Sequence, residues 1–155
     1  MGNNVEIING SRTSFGPRGS ETRLAAAVST FGVRKQLVVP VKFDALPEHT
    51  EGDVTGAYIP DNAVVTAVYV TPANTAFAGG TSYEVDLVED DGTSITGGEL
   101  VSAITLAAMN AGGEATINNA IVTEGPAFVE LNATGTFTAG EGALVIEYIE
   151  QIDMF

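Results

Sequence analysis

Apolar and polar side chains begin to alternate at residue 35, and most of the chain from there on reads as short β-strands. Residues 36–43, Gln-Leu-Val-Val-Pro-Val-Lys-Phe, are strand-like. Pro40 cannot donate to a ladder, which places that strand at a sheet edge. Residues 44–53 form a polar loop. Residues 63–71 put Val64, Thr66, Val68 and Val70 on one face and Val65, Ala67 and Tyr69 on the other, so both faces are largely apolar and a central strand is expected. Residues 81–88 alternate cleanly, with Tyr83, Val85 and Leu87 opposite Glu84 and Asp86, and lead to Asp91-Gly92, a strong hairpin-turn signal.

Residues 98–109 are apolar almost all round and predict one covered helix, stopped by Gly112-Gly113. Three more strands follow at 115–122, 127–133 and 143–151, with a short β segment around Phe137. Seven or eight short strands with one short helix predict a mainly β fold, an antiparallel β-sandwich of jelly-roll-like kind. Residues 1–34 mix Gly, Ser, Pro and Arg without a period of 2 or 3.6 and read as an extended N-terminal arm. A brief helical turn over residues 21–28 would order only against a partner. The expected organisation is an arm at 1–34 and an acidic sandwich domain at 35–155.

Charge adds a second division. The first 42 residues hold all six cations (Arg12, Arg18, Arg23, Arg34, Lys35 and Lys42) with only Glu6 and Glu21, a net of +4; the remainder holds eighteen acids and no Lys or Arg. A body of that sign repels phosphate backbones, so nucleic acid is not an expected partner. The basic segment suits an acidic protein surface, including the body of a neighbouring copy. Cysteine is absent, which excludes disulfides, thiolate metal sites and cysteine nucleophiles. No apolar run has signal-peptide or membrane-spanning length, so a soluble protein made in a cytoplasm is expected, with no membrane partner.

Candidate chemistry is sparse. His49 is the sole histidine, flanked by Glu48 and Glu51 in the polar loop, and reads as an exposed loop residue without the partners that a base or zinc ligand needs. Glu84, Asp86, Glu89, Asp90 and Asp91 are the best candidates for calcium, but their spacing is not that of an EF-hand, and a solvated strand face plus a turn explains them. Paired carboxylates for glycoside hydrolysis lack a Trp to grip a sugar ring. No phosphate-binding glycine pattern with a following Lys precedes the helix. The expectation is a non-enzymatic protein without catalytic residues, metal or cofactor.

Three stretches carry a resemblance: Ile7-Ile8-Asn9-Gly10-Ser11-Arg12-Thr13-Ser14-Phe15-Gly16-Pro17-Arg18, Gly79-Gly80-Thr81-Ser82-Tyr83-Glu84-Val85-Asp86-Leu87-Val88, and residues 133–148 from Ala133-Thr134-Gly135-Thr136-Phe137 to Tyr148. In these the chain resembles the small head-decoration, or cement, proteins of tailed bacteriophages, particularly marine and cyanobacterial podovirus-like phages. The resemblance implies a sandwich on the outer capsid surface of the virion that binds the major capsid protein and neighbouring copies of itself, as a dimer or trimer, and reinforces the DNA-filled head. On that reading Arg12, Arg18, Arg23, Arg34 and Lys35 pair with carboxylates of the lattice or of a neighbour, while Phe15 and Phe31 anchor in apolar pockets. The competing expectation is a carbohydrate-binding or host-attachment module of a virion fibre. That reading needs an exposed aromatic platform, whereas Tyr58, Tyr69, Tyr83 and Tyr148 fall mostly at apolar strand positions.

Overall fold

The computed structural model describes residues 5–7, 10–15, 26–29, 34–53, 57–119 and 123–150, the first three stretches as backbone only. Those three are strands β1 (Val5–Ile7), β2 (Gly10–Phe15) and β3 (Ala26–Ser29), antiparallel in the order β1-β2-β3. The helical turn expected over residues 21–28 is thus a strand where it is described. Residues 26–29 exchange backbone hydrogen bonds with β2, which a single turn of helix in water cannot match. Residues 21–25 lie outside the described residues. A separate compact unit begins at Arg34 and ends at Glu150.

That unit is a β-sandwich built from β4 (Arg34–Lys42), β5 (Tyr58–Ile59), β6 (Ala63–Val70), β7 (Thr75–Gly79), β8 (Ser82–Val88), β9 (Ser94–Thr105), helix α1 (Leu106–Ala111), β10 (Gly113–Ala115), β11 (Ala127–Thr134) and β12 (Phe137–Glu150). One sheet runs β10-β6-β12-β4, with β7 also pairing β12; the other runs β5-β11-β8-β9. All pairings are antiparallel. Val39, Val65, Val68, Leu144 and Ile146 from the first sheet meet Tyr83, Val85, Leu87, Leu100 and Val129 from the second in a single core. Among the described residues no helix is long and apolar enough to cross a membrane.

The expected edge strand with Pro40 is β4, and the expected central strand is β6, between β10 and β12. The two apolar faces of β6 have a specific cause. Its register on β12 shifts at Glu147/Tyr148, leaving Thr66 as an extra residue, so Ala63 and Val65 point inward before the bulge and Val68 and Val70 after it. The same device overturns the long helix expected over residues 98–109. Residues 98–105 belong to β9, whose register on β8 slips between Val85 and Asp86, so that both Leu100 and Val101 face the core. Two inward neighbours in a bulged strand imitate a helix that is apolar all round. Only Leu106–Ala111 is helical, capped by the Thr105 hydroxyl accepting from Ala108 N–H at 3.3 Å and ended at Gly112, the stop foreseen in the sequence.

The strand expected at 143–151 and the segment around Phe137 are one strand, β12, with Gln151 outside the described residues, and of the strand expected at 115–122 only Ala115 pairs, as the last residue of β10. Residues 116–119 form no strand, and residues 120–122 lie outside the described residues. β12 is thin where the sheets close. A Cβ on Gly140, whose φ is +139°, would lie 1.9 Å from Phe77 Cδ1. Phe77 is buried there and meets Tyr83 edge-on at 5.9 Å, while Tyr83 stacks on Phe137 at 4.3 Å, tying β7, β8 and β12 together. Gly140→Ala should therefore destabilise the sandwich by about 3 kcal/mol through overpacking and backbone strain, measured by urea unfolding.

Candidate interaction surfaces

The outer face of the β5-β11-β8-β9 sheet collects carboxylates because the alternation that sends Tyr83, Val85 and Leu87 inward sends Glu84 and Asp86 outward. Register supplies the rest: Asp86 lies opposite Glu130 on β11 and opposite Glu99 on β9. Like charges in directly opposed positions disfavour ionisation. Asp86 is held above the ordinary carboxylate range, first by burial, although Asn132 Nδ2 donates to it at 2.8 Å. Glu84 is raised chiefly by the charge of Asp86.

The five carboxylates weighed for calcium divide among different tasks. Glu84 and Asp86 are on this face, and Asp91 accepts from Thr93 N–H at 2.8 Å within the β8–β9 turn, which pulls its carboxyl below the usual range. Glu89 closes the turn through its backbone, its N–H donating to Thr93 O and its carbonyl accepting from Gly92 N–H. Asp90 turns toward residues 44–53. Among the described residues no three His, Asp or Glu side chains are grouped to hold a metal ion.

His49 departs from the expected exposed residue: its side chain is only 2% exposed. The ring stacks on Phe128 of β11 at 3.7 Å and 15°, and its backbone N–H donates to Glu130 Oε1 at 3.2 Å. Nε2 lies 3.0 Å from both the carbonyl and Oδ1 of Asp90. Both are acceptors, so Nε2 carries the proton, and buried Nδ1 has no hydrogen-bond partner among the described residues. Gly52 N–H also donates to Asp90 Oδ1 at 3.0 Å. Asp90 thus fastens the loop at two points, a contact between residues some forty positions apart that no local pattern announces.

The edge strand β4 carries the only cations whose side chains are described, and each meets a carboxylate. Arg34 Nη1 is 2.9 Å from Glu147 Oε1, Lys35 bonds Glu150, and Lys42 Nζ is 3.5 Å from Asp44 Oδ1. The hydrogen bond from Lys35 to Glu150 holds the ammonium above its ordinary value. Glu147 is 8% exposed and also accepts from the Thr66 hydroxyl at 3.2 Å, so Arg34 and the bulged Thr66 together satisfy a carboxylate set among Val64, Ala67, Val145 and Ile149. Of the residues expected to bind a partner, Arg34 and Lys35 are thereby engaged within the sandwich. Arg12 and Phe15 lie on β2, opposite Ser29 and Ala26 of β3. Arg18, Arg23 and Phe31 lie outside the described residues.

No protein-family model, curated protein or solved structure matches this chain.

Two measurements probe these contacts. Glu84 and Asp86 bind protons more readily folded than unfolded, so their contribution to stability falls as pH rises through the range above ordinary carboxylate values. Glu84→Gln should raise stability at neutral pH by about 0.5 kcal/mol and flatten the decline in melting temperature as pH rises above the ordinary carboxylate range. Asp90→Ala should accelerate amide exchange at His49 and Gly52 by about tenfold, with the β12 amides unaffected.

Proposed function

We propose that this chain is a non-enzymatic virion structural protein, a capsid decoration protein that binds the major capsid protein lattice and stabilises the DNA-filled head. The observation that carries the reading is the division of charge between the two parts of the chain. The described sandwich commits Arg34, Lys35 and Lys42 to its own Glu147, Glu150 and Asp44. The remaining cations, Arg12, Arg18 and Arg23, all precede Arg34. A sandwich that presents mainly carboxylates is a poor ligand for an acidic shell, whereas the residues before it are a good one.

On this reading residues 1–33 attach and the sandwich is the body they hold at the outer surface. Arg12, Arg18 and Arg23 pair with lattice carboxylates, and Phe15 and Phe31 supply apolar anchors. Many copies, each with modest contact, add up to a reinforced shell. The sandwich offers little support for host-glycan binding. Tyr58 is the one large aromatic exposed among the described residues, at 46%, and a single ring is not a sugar-binding platform.

Purified chain added to expanded heads of its own phage should co-sediment with them and raise their disruption temperature. A variant lacking residues 2–33 should lose at least tenfold in affinity, and binding should weaken with salt as an ion-pair contact does. Failure of the intact chain to bind would overturn the decoration role; undiminished binding by the deletion would overturn the role of the basic segment.

A further inference from the structure

Among the described residues the two sheets of the sandwich present five outermost strands, and four of them resist further pairing. β5 spans two residues and β10 three, β9 is broken by three register shifts against β8, and the outward backbone of β7 is held at Phe77 by the Asn110 side chain, which accepts from its N–H at 2.7 Å and donates to its carbonyl at 3.1 Å. β4 is nine residues long and keeps an unbroken register on β12. Its free backbone groups can be assigned from β12. The carbonyls of Glu141 and Ala143 accept from Asn74 and Thr71 on the far side of β12, whereas that of Gly140 accepts from Phe43 on the β4 side. Antiparallel alternation then turns the backbone groups of Gln36, Val38 and Pro40 away from β12. Pro40 sits where its missing N–H costs the sheet nothing. Gln36 and Val38 offer N–H and C=O to an edge that no strand pairs among the described residues. At the middle of that edge Val38 is 58% exposed.

Charge indicates which partner suits this edge. Beyond residue 42 the chain carries eighteen acids and no Lys or Arg. Two such bodies repel one another on most approaches. Along β4 the three cations offset Glu147, Glu150 and Asp44, so this margin is close to neutral.

We propose that β4 is a self-association edge, through which two copies pair antiparallel about a two-fold axis at Leu37. Gln36 of each copy then lies opposite Val38 of the other, and the open backbone groups of both residues are bonded. Leu37 meets its own counterpart, and Arg34 faces Pro40 of the second copy and not Lys42, which avoids a like-charge pair; Pro40 has no N–H to give there, so the fully bonded stretch runs from Gln36 to Val38. The contact is isologous and closes at two copies. It does not depend on the binding of any particle.

Light scattering coupled to size exclusion, run on the full chain across a wide concentration series, tests the pairing. The expected mass is twice the 16.0 kDa of the chain. Val38→Glu should run at the single-chain mass with an unchanged circular dichroism spectrum, while Thr138→Glu, exposed on β12, should remain dimeric. Because the chain has no cysteine, Leu37→Cys provides an independent reading and should form a disulfide-linked dimer on mild oxidation. A wild-type mass of one chain, a trimer, or a Val38→Glu variant that stays dimeric would each overturn the proposal.

Discussion

β12 is hydrogen-bonded along both of its sides, to β4 on one and to β7 and then β6 on the other. This ladder is what the sandwich hangs on. β4, the first strand of the unit, pairs with no other named strand, so Arg34 finds Glu147 across 113 residues of chain. Few local contacts can close the first sheet before β12 is in place, which puts much of the loop-closure entropy into a single late event. Gly140 belongs to the same constraint. By carrying no side chain where β7 crosses, it lets Phe77 fill the end of the core that β7, β8 and β12 share.

Electrostatics follow from where the ladder places charged side chains. A carboxylate as enclosed as that of Glu147 needs a partner, because an unpaired buried charge costs several kcal/mol, on the order of 3–5. Arg34 and Thr66 meet that need from the two strands flanking β12. A one-residue slip of β4 would turn Arg34 to the opposite face, so the ion pair helps to fix register as well as to satisfy charge. Among the described residues the outer face of the second sheet has no cation, and Asp86, set between Glu99 and Glu130, accepts from Asn132 Nδ2 instead.

What could be read in the sequence was what local pattern controls. β8 and the Asp91-Gly92 turn follow from strict alternation and turn chemistry, and Pro40 marked β4 as an edge because it has no N–H to give. The apolar second face of β6 and the misread helix over residues 98–105 share one cause. A bulge adds a residue to one strand only, so the inward pattern of β6 and β9 changes phase at Thr66 and near Leu100, and a period counted along one strand cannot detect a partner's offset. β5 and β7 were missed for a different reason: two residues, or five with a single buried Phe77, are too few to establish a period. The setting of His49 was hidden because Phe128 and Asp90 reach it from distant parts of the chain. The basic side chains were visible as a group, but their division into those spent inside the sandwich and those that precede it required the ion pairs of β4.

The pairing of Arg34 with Ile149 has a mechanical side. Residues 1–33 join the sandwich at the end of β4 that lies beside the end of β12, so a pull on that segment enters the sheet at one corner. Loaded there, β4 opens like a zip, one pair of hydrogen bonds at a time, and does not share the force along its length as two strands sheared past each other would. The first links to bear the load are the ion pairs of Arg34 with Glu147 and of Lys35 with Glu150. They act as the clasp of the zip, the contacts that part before the ladder can open.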